Sequence, residues 1–168
     1  MEIRDLYDAN KNLTGKTFVK GEQVPKGYYY LIVAVVIENL NGDFLLQKRV
    51  ARKGGKWALT AGHPKSGENS FEGICAEASE ELGVDISKDD IKLIDTWINN
   101  DQIFDIYYLK RDINLEDIII QEEEVDGVRY ASLDEINEMH DKGEFHENHF
   151  ILFSKCLEKL GRWIWRFI

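Results

Sequence analysis

The chain has 168 residues, with Lys+Arg 21 against Asp+Glu 31 for a formal charge of -10. That length suits one domain with a sizeable core, and 43% hydrophobic with 31% charged residues excludes disordered and low-complexity classes. The acidic balance opposes non-specific attraction to nucleic-acid polymers and anionic membranes, although a local basic patch or a bound cation still allows a small phosphorylated substrate.

Glu2 to Tyr7 alternates and leads through the turn-rich Asp8–Gly15 into Lys16–Lys20, so a small hairpin is predicted to open the chain, as part of an extension over 1–27. Tyr28–Glu38 is a β-branched and aromatic run suited to a buried strand, and Asn41-Gly42-Asp43 turns it into a return strand, Phe44–Arg49. Trp57–Thr60 reads as a short strand and 61–67 as a loop. Between Ser70 and Leu82 the residues Phe71, Ile74, Cys75, Ala78 and Leu82 recur at helical spacing as a buried stripe, and Gly83 stops the helix. Strands follow at Ile91–Ile98, Ile103–Lys110 and Val125–Ala131. Ser132-Leu133-Asp134-Glu135 is a capping box opening a second helix to about His140, and Asn148–Leu160 reads as a third, within a helix-and-tail segment over 148–168. Strands and helices interleave without strict βαβ alternation, which predicts an α/β fold with a mixed sheet between helices.

Two cysteines, Cys75 and Cys156, leave no disulfide framework to build. The longest strictly apolar run, Leu31 to Ile37, is far shorter than the roughly 18 residues of a spanning helix, and Met1-Glu2-Ile3-Arg4-Asp5 lacks the character of a secretory signal. A cytoplasmic protein is expected.

Glu77, Glu80 and Glu81 fall within an arc of roughly 100° on the first helix, away from its apolar stripe. Like charges at these spacings weaken a helix by a few tenths of a kcal/mol per pair, and no lysine intervenes. A hard divalent cation such as Mg²⁺ or Mn²⁺ removes the conflict. Lys48, Arg49, Arg52, Lys53 and Lys56 supply cations without an anion between residues 48 and 56, a local basic run of the kind a phosphate contact uses.

Gly62, Glu68, Glu77, Glu80, Glu81, Gly83 and Val84 stand in the register of the box of the Nudix hydrolase family, which this segment, 62–84, resembles. Six Gly and Glu positions matching by chance have a per-window probability on the order of 10⁻⁷. The resemblance implies a Nudix-type α/β/α sandwich and hydrolysis of a pyrophosphate bond in a nucleoside diphosphate linked to another moiety. It assigns Glu77, Glu80, Glu81 and the Gly62 carbonyl to Mg²⁺. It gives Glu68 a loop-orienting role and leaves the general base to Glu77 or to the pair Glu123/Glu124, with Glu124 preferred. Arg49, Arg52, Lys53 and Lys56 are the expected substrate contacts.

Ala76 replaces the arginine of the box. Either another cation, such as Arg52 or Lys53, compensates, or the chain is a weak nucleotide-binding or regulatory module. The flanking Asp-Leu-Tyr-Asp opening, Leu45–Arg49 and 122–135 look like the branch nearest isopentenyl diphosphate isomerase. Ala61, however, stands where the isomerase has a cysteine before His63-Pro64, and 98–102 offers no partner glutamate; allylic proton transfer needs both groups.

His146 and His149, near Glu144 and Glu147, do not match a zinc-protease spacing and read as surface or helix-start residues. Tyr28, Tyr29 and Tyr30 divide between core and cleft. The apolar tail, with Trp163, Ile164, Trp165, Phe167 and Ile168, packs on its own domain or forms a homodimer contact.

Overall fold

The computed structural model describes residues 1–87, 89 and 91–162. Strands β1 (Ile3–Tyr7) and β2 (Leu13–Val19) pair antiparallel as the expected opening hairpin. The main sheet holds β3 (Tyr30–Glu38), β4 (Phe44–Arg49), β5 (Trp57–Ala58), β6 (Thr60–Gly62), β7 (Lys92–Asn99), β8 (Gln102–Lys110) and β9 (Val125–Ala131). Among the described residues three α-helices accompany it, α1 (Ser70–Leu82), α2 (Leu133–Asp141) and α3 (Glu147–Lys159). The tail 163–168, and with it the homodimer contact, lies outside the described residues.

The sheet is mixed because β3 runs parallel to β8 over its whole length, from Tyr30↔Gln102 to Glu38↔Lys110, while the other pairs are antiparallel. Alternation on β3 divides the core. Val33, Val35 and Ile37 face α1 through Ile74, Ala78 and Leu82. Ala34 and Val36 face α2 and α3 through Ile136, Phe153 and Leu157. Such strands are apolar on both faces because each face is covered by helix.

The β3–β4 hairpin pairs only at Glu38↔Phe44, and the two strands then take different neighbours. β3 takes β6 at 33–35, and β4 takes β5 and β9. The single strand expected over Trp57–Thr60 is therefore two, because Leu59 is where the chain crosses from one neighbour to the other. Phe71 also departs from expectation: it is 40% exposed, since the buried stripe of α1 begins at Gly73 and Ile74.

Candidate active site

α1 starts at a reciprocal cap in which Asn69 accepts from the Glu72 amide at 2.9 Å and the Glu72 carboxylate accepts from the Asn69 amide at 2.8 Å. The loop before it is pulled hard against the helix. A Cβ on Gly73 would meet Pro64 at 2.6 Å, and one on Gly62 would meet the Glu77 carboxylate carbon at 2.0 Å. Glu68 accepts from the Lys65 amide at 2.8 Å, the loop-orienting contact expected of it. The N-terminal hairpin braces the same loop, with Asp5 accepting from the Ser66 hydroxyl at 2.7 Å and from the Gly67 amide at 2.9 Å.

The three box glutamates occupy different environments. Glu77 lies against Gly62 and is pushed up to about 8, by burial first and then by the charges of Glu81 and Glu80; the His63 amide partly offsets this. Glu81 is buried and also raised, chiefly by that burial. Its carboxylate accepts from Gln47 Nε2 at 2.6 Å, and Gln47 Oε1 in turn accepts from Thr60 at 2.9 Å, so two strands orient one helix side chain. Glu80 is more exposed and bonded to Lys65 Nζ at 2.8 Å.

Carboxylates destabilised by one another's charge are a donor set suited to a hard divalent cation. Among the described residues no group of three His, Cys, Asp or Glu side chains is gathered as a ready metal-ligand cluster. The carboxylates are instead held separately: Glu80 by Lys65, Glu81 by Gln47, and Glu77 against Gly62.

These groups line a cavity of about 580 Å³. Its walls also carry Gly62, Arg49, Lys53 and Glu124, so most of the residues singled out in the sequence converge. Lys56 is exposed and not part of the lining. Arg52 is outside the lining too; its guanidinium donates to the Glu123 carbonyl and lies 3.8 Å from Glu124. Lys53 pairs with Glu124 and also lowers the cost of ionising Glu81 through space. Of the two cations expected to compensate for Ala76, Lys53 thus acts on the box, whereas Arg52 is turned to residues 123 and 124. Lys65, not anticipated, meets a box carboxylate directly.

A strap of main chain fixes Glu124 relative to the helix. The Ile119 amide donates to the Leu82 carbonyl and the Gln121 amide to the Glu81 carbonyl, both at 3.0 Å, filling acceptors that a helix C-terminus leaves open. Of the pair Glu123/Glu124, it is Glu124 that reaches the cavity.

Other lining residues escaped the sequence reading. Arg4, Glu2 and Lys20 come from the hairpin, with Arg4 buried and bonded to Glu2 at 3.0 Å. Tyr30 lines the cavity and stacks on His63 at 5.7 Å, whereas Tyr29 packs on the core and Tyr28 accepts from Lys16. Burial, with Arg4 next, holds His63 down to about 4. His146 and His149 stand at the start of α3, one of the two placements expected of them, and both line the cavity. Only a helix boundary at 146–147 could have signalled this, since it turns positions 146 and 149 to one side.

A model of the NUDIX domain matches residues 29–152. An uncharacterized Nudix hydrolase of Listeria monocytogenes is 33% identical over 155 residues, covering 90% of this chain and 92% of its own. Among solved structures, the Deinococcus radiodurans protein DR0079 superimposes with a TM-score of 0.73 at 17% identity, covering 90% of this chain and 98% of that one. The NUDIX domain of Shewanella oneidensis NrtR, crystallised with ADP-ribose, gives 0.65 at 18% identity, covering 85% of this chain and 93% of that one. These two share the fold. With the box in register on α1, the matched domain spanning most of the chain and a relative alike over nearly its whole length, the chain belongs to the Nudix hydrolase family, pyrophosphohydrolases that act on phosphorus-containing anhydrides.

Proposed function

We propose that the protein uses Mg²⁺ or Mn²⁺ to hydrolyse the pyrophosphate bond of a nucleoside diphosphate linked to another group, in the cytoplasm. The observation that carries this reading is the lining of one cavity by Glu77, Glu80, Glu81 and Glu124 together with Arg49, Lys53 and Lys65. Carboxylates alone repel a diphosphate, and cations alone would hold it without activating water.

Glu77, Glu80, Glu81 and the Gly62 carbonyl would hold the metal. The chemistry it would supply there is neutralisation of phosphate charge and a lower cost for deprotonating water. Arg49 and Lys53 contact the phosphate oxygens and orient the diphosphate. Glu124, on the strap and outside the box, accepts the proton of the attacking water, for which Lys53 must shift from Glu124 toward the phosphate. Gln47 holds the Glu81 carboxylate in place in the cavity.

Ala61 and Gln102 both line the cavity, and neither offers a titratable proton, which favours hydrolysis over isomerisation. Both thiols are free, as suits a reducing compartment. No described helix is long and apolar enough to cross a membrane.

The test is product release from nucleotide sugars, ADP-ribose, dinucleoside polyphosphates and nucleoside triphosphates with Mg²⁺ or Mn²⁺, beside Glu81→Gln. ADP-ribose comes first because it occupies the NrtR domain. Turnover of one class, lost with chelator and in the variant, supports the reading. Metal-stabilised protein that turns over none of them favours the regulatory module that Ala76 raises.

A further inference from the structure

The cavity wall farthest in sequence from the box is built by the start of α3. His149 Nδ1 accepts the Leu59 amide at 3.1 Å. An imidazole nitrogen that accepts carries no proton, so the neutral ring has its hydrogen on Nε2. No described group takes that hydrogen, and His149 lines the cavity. His146 lies beside it, ring centroids 4.5 Å apart, with its own Nδ1 buried and without a partner among the described residues. Burial, then His146 and Arg49, hold His149 down to about 3, so it stays a neutral donor throughout the working pH range. Ile32, Leu59 and Phe104 line the same cavity as apolar surface.

This arrangement is wrong for a phosphate, which Arg49 and Lys53 attract more strongly than a neutral imidazole can. It suits a flat, uncharged group with in-plane acceptor atoms and apolar faces. We propose that His149, supported by His146, reads the edge of the substrate's heterocyclic base and sets which base is accepted. The assignment rests on the hydrolase reading above and deepens it. His149 accepts the Leu59 amide at one nitrogen and donates to the base at the other, so the strand crossing and the specificity contact share one ring.

The two ring nitrogens can be tested separately. Asparagine places its amide oxygen near Nδ1 and keeps the Leu59 contact while withdrawing the donor; glutamine extends an amide donor toward the Nε2 position. Wild type, His149→Asn and His149→Gln are compared on ADP-, GDP-, CDP- and UDP-glucose for kcat and KM, with melting temperatures recorded. The wild type is expected to prefer its best base over its worst by about tenfold or more in kcat/KM, the value of one well-placed hydrogen bond. His149→Asn loses that spread through a raised KM for the preferred base with kcat little changed, and His149→Gln retains most of it. A wild type that hydrolyses all four equally overturns the assignment and leaves the hydrolase reading standing. So does a spread that survives in His149→Asn or is lost equally in His149→Gln. A wild type that hydrolyses no nucleotide-linked substrate removes both readings together.

Discussion

Gly62 and Glu77 are packed so closely that any side chain on the first would occupy the position of the carboxylate on the second. The obstructed atoms are the far end of a flexible side chain, so Gly62→Ala should displace Glu77 without unfolding the protein. Expected is a loss of at least about 100-fold in kcat/KM and of Mg²⁺-induced stabilisation, with the metal-free melting temperature nearly unchanged. Calorimetry with and without Mg²⁺ checks it; an alanine variant that still gains stability from the metal would refute the packing account.

Glu77 also governs the response to pH. Its folded value of about 8 stands above the 4.5 of an ordinary glutamate, so the folded protein binds the extra proton and loses stability as pH rises from about 4.5 to 8. His63, lowered from 6.5 to about 4, works in the opposite sense. Its contribution is complete above pH 6.5 and is lost as pH falls toward 4, by about 3 kcal/mol for 2.5 units. Between about pH 4.5 and 6.5 the two effects cancel, so metal-free protein should be evenly stable there and lose stability on either side. Urea unfolding across pH 4 to 9 tests this, and His63→Asn should replace the plateau by stability that rises steadily as pH falls from about 8 to 4.5.

Mg²⁺ requires the ionised carboxylate and should release a proton on binding near neutral pH, its affinity rising until about pH 8. Replacing Glu77 by Gln removes the buried charge conflict. At pH 8 to 9 the metal-free variant should melt about 2–4 °C higher, as ~1 kcal/mol gives for a domain of this size, while turnover disappears. Proton release measured in two buffers of different ionisation enthalpy would be absent from it.

On the α1 face of β8, Asp105 is fully buried and holds Lys11 and Ser70 at 2.5 Å and Thr96 at 2.7 Å. Lys11 comes from the hairpin turn, so the extension is fastened by its ammonium to the core. Lys11→Met should cost about 2 kcal/mol by leaving Asp105 short of a partner, and adding Asp105→Asn should recover part of that. A double variant no more stable than Lys11→Met alone would show that the ion pair is not the fastening.

Most of the strands and all three helices were legible because their signals are local: alternation, helical period, Asn41-Gly42, Gly83 and the Ser132–Glu135 box. The carboxylate side of the cavity was legible because Glu77, Glu80 and Glu81 sit on one helix at fixed spacing. What could not be read depends on long-range pairing. The Gln47–Thr60–Glu81 relay spans three elements, Asp105 gains its partners only once the hairpin docks, and β3 runs parallel to a strand more than sixty residues away. Asn69 and Glu72 were a local signal that went unread.

The strap at 119–124 works as a ruler. Its zero mark is the pair of amides on the last carbonyls of α1, and three residues beyond Gln121 it delivers Glu124. Chain added or removed before Ile119 changes only the path by which the strap arrives. One residue inserted between Gln121 and Glu124 changes the reading itself, moving the glutamate while the helix stays where it is. Given the role proposed for Glu124, length variation in this domain is therefore tolerable on one side of that mark and disabling on the other.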